Sequence, residues 1–201
     1  MVLSAGETET FGFLLLPGHP MLSVSAAIDV LALTNYVRND QAYSWYTIAE
    51  SDQNVRSMNG LSIRADYLIK NAPRLSRLIV CAGVDGHEGA HPDTLSWLRH
   101  IRASGTNIGA VSTGSWVLAQ AGLLAGRRCT IHWEDQAAFR ESYPDLDVTE
   151  EIFEVDGPVF TCSGGTAVVD LTLTFVSGSH GVDLANEVAE QLLHDEIRQP
   201  F

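Results

Sequence analysis

The stretch Ala110-Val111-Ser112-Thr113-Gly114 constrains the fold of this chain more than any other. It ends an apolar run and opens a segment of small residues, which is typical of a strand that turns sharply into a helix. At such a turn, called a nucleophile elbow, the residue at the bend has a strained backbone and a side chain held above the sheet. Because Ser112 occupies that bend, we predict that it lies in a binding or reaction site.

Short apolar runs alternate with amphipathic stretches along the whole chain. The runs that predict strands are residues 11–16, 43–49, 78–81, 107–111, 129–132, 148–155 and 159–162. The dipeptides Asn59-Gly60 and Asp156-Gly157 predict hairpin turns. Strands that alternate with helices predict an α/β fold, with a mostly parallel sheet covered on both faces and a ligand site beyond the carboxyl ends of its strands. A chain of 201 residues with 45% hydrophobic content is expected to form one domain, residues 1–201.

Charge and cysteine content restrict the class of protein. Twenty-five acidic residues against 12 basic ones give a net charge of -13, which repels phosphate, so this chain alone is not expected to bind DNA. The three cysteines form no CxxC pair, which favours a reducing compartment. The N-terminus lacks the basic region of a signal peptide, and no apolar run approaches the roughly 20 residues of a membrane span. We therefore predict a cytoplasmic protein without a membrane contact.

The segment His87-Glu88-Gly89-Ala90-His91 matches the H-E-x-x-H pattern, in which two histidines one helical turn apart bind zinc. That chemistry needs a helix. Gly86 and Gly89 weaken any helix here, and Pro92 moves the residue before it out of the helical region. We interpret the segment as a surface loop and expect no metal site.

A hydrolase is an alternative interpretation of the elbow. Asp170 and His180 follow Ser112 in the order of an α/β-hydrolase triad, but only this order supports the assignment. Asp170 lies within a predicted apolar helix over residues 167–175, where a capped or paired acid is the simpler explanation. His180 is expected to begin the last helix instead.

Several stretches resemble a known superfamily. Residues 109–114, 118–128 and 130–133 resemble the ThiJ/PfpI superfamily, which is related to class I glutamine amidotransferases. Within it, Leu16-Pro17-Gly18, Asn59-Gly60-Leu61, residues 161–167 and Asp170-Leu171 are similar to the N-terminal domain of AraC/XylS-type transcriptional regulators. The resemblance runs from Phe11 to about Arg198. It implies a flavodoxin-like three-layer α/β sandwich that is usually dimeric and precedes a C-terminal helix-turn-helix DNA-binding module, which is missing from this sequence.

The sequence departs from the enzymes of this superfamily at the elbow. Those enzymes carry a cysteine there, activated by a carboxylate from the loop after the first strand, whereas this chain has Ser112 and no Asp or Glu in residues 17–25. A serine hydroxyl is a weak nucleophile unless a base is within hydrogen-bond reach. We therefore predict a sensor with a retained pocket and no catalysis. The alternative is an amidase, hydratase or esterase with Ser112 or Cys162 as nucleophile and His132 as base.

The expected ligand is a small metabolite, and the resemblance implies an amino acid or a quaternary amine. The residues predicted to bind it are Ser112, Thr113, His132, Trp133, Glu134, Gly83 and His19. Trp133 and Glu134 together are suited to a cation, through a cation–π contact and charge. Trp116 is expected in the core. No cofactor is expected, and the predicted partners are the effector, a second copy of the chain and, through the missing module, DNA. A standalone partner-binding module is a third interpretation.

Overall fold

The computed structural model describes residues 8–84, 86–88 and 90–200. The helices are α1 Met21–Arg38, α2 Pro92–Ala103, α3 Gly114–Gln120, α4 Gln136–Ser142, α5 Ala167–His180 and α6 Val182–Gln191. The strands are β1 Glu9–Leu15, β2 Tyr43–Ala49, β3 Asn54–Arg56, β4 Ser62–Arg64, β5 Tyr67–Leu68, β6 Arg77–Ala82, β7 Asn107–Ser112, β8 Arg128–Cys129, β9 Asp147–Val148, β10 Phe153–Asp156 and β11 Val159–Cys162. Short 3-10 helices cover Ile69–Asn71, Gly86–Glu88 and Trp133–Asp135.

A seven-stranded sheet with the order β10-β11-β7-β6-β1-β2-β5 forms the centre of the molecule. Its neighbouring strands are parallel except for the β10–β11 hairpin. Side chains alternate between the two faces along each strand, so each face of the sheet carries apolar side chains. Helices cover both faces. Phe13 of β1 packs in a core with α1, α5 and α6, and the adjacent Leu14 packs in a second core with α2, α3 and α4. The predicted α/β fold with a mostly parallel sheet is therefore confirmed.

The parallel strands place their carboxyl ends at one edge of the sheet. Leu15 of β1 pairs with Cys81 of β6, and Ala82 of β6 pairs with Ser112 of β7. The loops that follow these strands consequently meet at that edge, which is where an α/β sheet offers a ligand site.

Two predicted strands are shorter than the apolar runs suggest. Residues 148–155 are not one strand, since Val148 ends β9 and Phe153 begins β10. Between them the chain passes from the separate two-stranded sheet of β8 and β9 to the main sheet. On the way it bonds the loop after β8, where the Thr130 hydroxyl donates to the carbonyl of Glu151 at 2.7 Å. The predicted strand at 129–132 likewise stops at Cys129. There the Thr130 amide donates to the Thr161 hydroxyl at 2.7 Å. Tertiary hydrogen bonds therefore prevail over strand propensity in both places.

The H-E-x-x-H segment does not lie on one α-helix. Gly86–Glu88 is a 3-10 turn, and α2 begins only at Pro92, with the His91 side chain accepting a hydrogen bond from the Asp93 amide at 3.3 Å. Gly89 lies outside the described residues. In the described part of the chain, no group of three or more His, Cys, Asp or Glu side chains is placed to hold a metal ion.

The C-terminal helices correct one boundary and separate the hydrolase pair. His180 ends α5 instead of beginning the last helix. Gly181, with a φ of 98°, interrupts the helical conformation between α5 and α6. Asp170 is paired with Arg198 and His194, whereas His180 contacts Arg38. The two residues therefore do not form a triad with Ser112.

No helix among the described residues is long and apolar enough to span a membrane.

Candidate functional site

Ser112 lies at a sharp bend between β7 and α3. Its φ of 59° falls in the left-handed region, which residues other than glycine rarely adopt, so the backbone here is strained as the sequence predicts. Gly164 packs directly against this bend, because a Cβ on Gly164 would lie 3.0 Å from the Ser112 Cβ. The bend is thus held between its own helix and the loop after β11.

A cavity of about 450 Å³ opens over Ser112 at the carboxyl edge of the sheet. Its lining comes from separate parts of the chain, namely Pro20 to Ser23 at the start of α1, Met58 and Asn59 of the β3–β4 turn, Gly83 and Val84 after β6, Ser112 and Thr113 at the elbow, His132, Glu134 and Asp135, and Gly165. This volume is in the range of small-molecule sites.

One wall of the cavity depends on close backbone contacts at Gly83. The Thr113 hydroxyl donates a hydrogen bond to the carbonyl of Gly83. A side chain at this glycine would overlap the carbonyl oxygen of Gly18 in the loop after β1. Glycine at position 83 therefore allows the loops after β1, β6 and β7 to meet.

Another part of the lining, residues 132–135, carries the acidic groups. The backbone N–H of His132 donates to the carbonyl of Ser112 at 3.3 Å, which holds this segment beside the elbow. The imidazole Nδ1 of His132 lies 3.7 Å from Glu134 Oε2. The indole N–H of Trp116 donates to Asp135 Oδ1 at 3.0 Å, which fixes that carboxylate at the cavity. Trp116 itself is buried against Phe139, so the expectation of a core position is confirmed.

Five of the seven residues predicted to bind a ligand line the cavity, namely Gly83, Ser112, Thr113, His132 and Glu134. The other two do not. Trp133 is 71% exposed. Its ring lies beside that of His132, with centroids 5.9 Å apart and ring planes inclined by 35°. His19 is fully buried, and its Nδ1 lies 3.2 Å from the carbonyl of Leu16. Their roles in ligand binding stay predictions.

Sequence reasoning missed the part of the cavity built by α1 and the β3–β4 hairpin. Leu22 and Met58 are exposed apolar residues that line it, as is Val84. The Asn59-Gly60 turn was visible in the sequence, but a turn signal does not show which distant loop it approaches. The structure brings it to the site because the Met58 amide donates to the carbonyl of His19 at 3.2 Å.

The lining has acidic groups but no Lys or Arg among its described residues. Cys162, the alternative nucleophile, is buried, and its desolvation raises the pKa of the thiol to about 12. A thiol with this pKa stays protonated at neutral pH and is a poor nucleophile. Cys129 is similar, since burial also raises its pKa to about 12.

Two histidines make stability depend on pH. Desolvation by burial is the main cause of a lowered pKa at both His19 and His180. The unfolded chain takes up these protons near pH 6.5, whereas the folded chain takes them up only at lower pH. Their contribution is present above about pH 6.5 and is lost as the pH falls towards the lowered native pKa values.

We therefore expect the free energy of unfolding, measured by urea titration, to fall between pH 7.5 and pH 5.5. His19→Asn keeps a donor near the Leu16 carbonyl but does not titrate, so it should reduce this slope. His100→Asn, at an exposed position of α2, is the matched control and should keep the full slope. An unchanged slope in His19→Asn would contradict the assignment.

The sequence matches the DJ-1/PfpI family over residues 13–178, a range that includes the elbow and every strand of the main sheet except part of β1. The chain belongs to the DJ-1/PfpI family. The resemblance to the ThiJ/PfpI superfamily is thereby confirmed, and all residues that line the cavity over Ser112 lie within the matched range.

Within the DJ-1/PfpI family, this domain is closely related to N-terminal domains of AraC-family regulators. It is 40% identical over 191 residues to the HTH-type transcriptional regulator CdhR of Pseudomonas aeruginosa, an alignment that covers 95% of this chain and 56% of CdhR. The solved structure of an AraC family transcriptional regulator from Pseudomonas putida superposes with a TM-score of 0.84 and 29% identity, covering 92% of this chain and 99% of that one. The chain thus spans about half the length of CdhR.

An enzyme is also among the relatives in this family. Isonitrile hydratase of Pseudomonas putida is 33% identical over 189 residues, covering 90% of this chain and 76% of the enzyme. Its lower identity makes it a more distant relative than CdhR.

Proposed function

We propose that this DJ-1/PfpI domain senses a small-molecule effector for a transcriptional regulator of the AraC family. The observation that carries the proposal is the cavity over Ser112, in a chain that aligns over 95% of its length with a transcriptional regulator. A formed cavity with convergent polar groups is what a small-molecule site requires. Effector occupancy changes the regulator's activity by favouring one arrangement of the protein.

The effector that fits the lining best is a small compound that carries a positively charged nitrogen, such as an amino acid or a quaternary amine. Glu134 and Asp135 supply negative charge on one wall, and no lining residue supplies a compensating Lys or Arg among the described residues. Leu22, Met58 and Val84 add apolar surface at the mouth, which suits methyl or methylene groups.

In this proposal DNA is bound by a helix-turn-helix domain that is not part of residues 1–201. The net charge of -13 gives this domain no attraction for phosphate, so DNA contact requires another part of the regulator. The regulator is proposed to act as a homodimer, since a symmetric pair of sensor domains can couple effector binding to the spacing of two DNA-binding domains.

The alternative function is an enzyme that uses Ser112 with His132. The relationship to isonitrile hydratase and the strained backbone at Ser112 favour it. The described side chains give weaker support, because no hydrogen bond joins the Ser112 hydroxyl to the His132 imidazole among the described residues. A serine hydroxyl that has no hydrogen-bonded base has little nucleophilic character.

Ser112→Ala separates the two functions. For a sensor, we expect no turnover in either protein and a loss of affinity of about threefold to thirtyfold, since one hydrogen bond contributes on the order of 0.5–1.5 kcal/mol and its loss in a buried site somewhat more. The measurement is calorimetric titration with the compound that stabilises the domain most in a panel of amino acids, betaines and polyamines. Ser142→Ala, exposed at the end of α4, is the control. Turnover of an amide, ester or isonitrile that Ser112→Ala abolishes would support the enzyme instead.

A further inference from the structure

Asp170 anchors the C-terminal segment, residues 192–200, to the start of α5. Its carboxylate is fully buried and lies in the first turn of the helix. Arg198 donates to it through the backbone N–H at 2.8 Å, Nε at 2.9 Å and Nη2 at 2.6 Å. His194 Nε2 lies 2.8 Å from the same carboxylate. We call this group of Asp170, His194 and Arg198 the clasp.

The clasp is well suited to hold a segment that has no regular structure of its own. Residues 194–200 are neither helix nor strand, so few backbone bonds fix them. Two guanidinium donors on one carboxylate oxygen and a backbone N–H on the other fix both the position and the direction of the segment. Ile197 adds a partly buried contact with the core. Opening the clasp would leave Asp170 without its charged partner at a buried position, which is costly.

The loop between β11 and α5 joins the clasp to the cavity. Gly165 lines the cavity, and its carbonyl accepts a hydrogen bond from the Ser23 hydroxyl at 3.3 Å. The next residue, Thr166, accepts a hydrogen bond from Arg198 Nη2 at 3.2 Å. Gly164, the residue that precedes Gly165, packs against Ser112. Three consecutive residues therefore contact the elbow, the cavity and the clasp in turn.

We propose that the clasp couples occupancy of the cavity to the C-terminal segment. This inference rests on the proposed sensor function and names how the site is regulated. A ligand that packs against Gly165 restricts the loop and holds Thr166 and the first turn of α5 where Arg198 binds, so occupancy stabilises the closed clasp. By thermodynamic linkage, opening the clasp weakens ligand binding by the same factor by which ligand occupancy favours the closed clasp. In a longer regulator, the segment after α6 is then ordered or released according to the state of the cavity.

Hydrogen exchange of residues 192–200, followed by mass spectrometry, tests the clasp without any ligand. Asp170→Asn and Arg198→Lys each remove the paired charge-assisted bonds, and we expect about tenfold faster exchange in this segment. Asp156→Asn removes the same charge from the Arg127 ion pair at the end of the edge strand β10, which has no bond to the clasp among the described residues, and should leave the segment unchanged. Equal exchange in all four proteins would overturn the proposal.

Substitutions at residues that line or border the cavity test whether the cavity is coupled to the C-terminal segment. Ser23→Ala removes the bond to Gly165, and Gly164→Ala crowds the elbow and strains a backbone with a φ of 95°, so both should speed exchange at 192–200 in the wild-type background but add nothing to Asp170→Asn. Leu61→Ala, at an exposed position that does not line the cavity, is the control and should have no effect there. If Ser23→Ala and Gly164→Ala leave the segment unchanged, the coupling is wrong, even if an effector is found. If the segment responds but no effector binds and the domain shows turnover that depends on Ser112, the physical link between the cavity wall and the clasp stands, whereas the proposed sensing function fails.

Discussion

Gly83→Ala is expected to destabilise the fold by about 1–3 kcal/mol, the cost of forcing atoms into a closely packed site, and to abolish effector binding. The added methyl group would overlap the carbonyl oxygen of Gly18, so the loop after β1 must move away from the end of β6. That movement separates the Pro20 to Ser23 wall from the elbow, because the Thr113 hydroxyl is bonded to the carbonyl of Gly83. The cavity would lose its shape even in the fraction of protein that still folds.

The measurement is urea unfolding at pH 7.5, combined with a binding titration on the folded protein. Gly178→Ala is the matched control, because its added methyl group would meet nothing within 4 Å in an exposed part of α5. It should leave binding unchanged and stabilise the helix by about 0.5–1 kcal/mol. Wild-type stability and affinity in Gly83→Ala would show that the loop contacts do not shape the site.

Glu134→Lys is expected to reduce the affinity for a cationic effector by about 100-fold. It removes an attractive charge, whose hydrogen bond to a cation contributes on the order of 1.5–3 kcal/mol, and it places a repulsive charge in the same wall. Asp135 does not compensate, since it is held by the indole of Trp116 and remains in both proteins.

Glu141→Lys controls for the change in net charge. Glu141 is exposed on α4 and does not line the cavity, so this variant should bind the effector as the wild type does. Calorimetric titration of both variants at two salt concentrations completes the test, because a general electrostatic effect is screened by salt and affects both alike. Equal loss in the two variants would mean that Glu134 has no direct role.

The fold was predictable because its strands are buried on both faces. A parallel strand such as β7 appears in the sequence as a continuous apolar run, and the small residues after Ser112 mark the turn into α3. The elbow was predictable for the same local reason. The segment 148–155, predicted as one strand, was misleading, because a hydroxyl of Thr130, distant in sequence, bonds the backbone in its middle.

Residues of the candidate site were predictable only where they lie close together in the sequence. Ser112 and Thr113 are adjacent, and Glu134 follows His132 closely, so local motifs found them. Met58 reaches the cavity through the loop after β1, a contact between distant segments that no single sequence stretch reveals. The sequence also suggested a paired acid at Asp170, but its partner Arg198 lies near the end of the chain in a segment without periodic structure.

The measurement that tests the sensor function most directly is a thermal-shift screen of this domain against amino acids, betaines and polyamines. A compound present at 100 times its dissociation constant adds about 2.7 kcal/mol of stability. We predict a clear rise in Tm for one class of cationic nitrogen compound, lost in Glu134→Lys and kept in Glu141→Lys. The absence of any shift across the panel, together with turnover that depends on Ser112, would contradict the account and establish the domain as an enzyme.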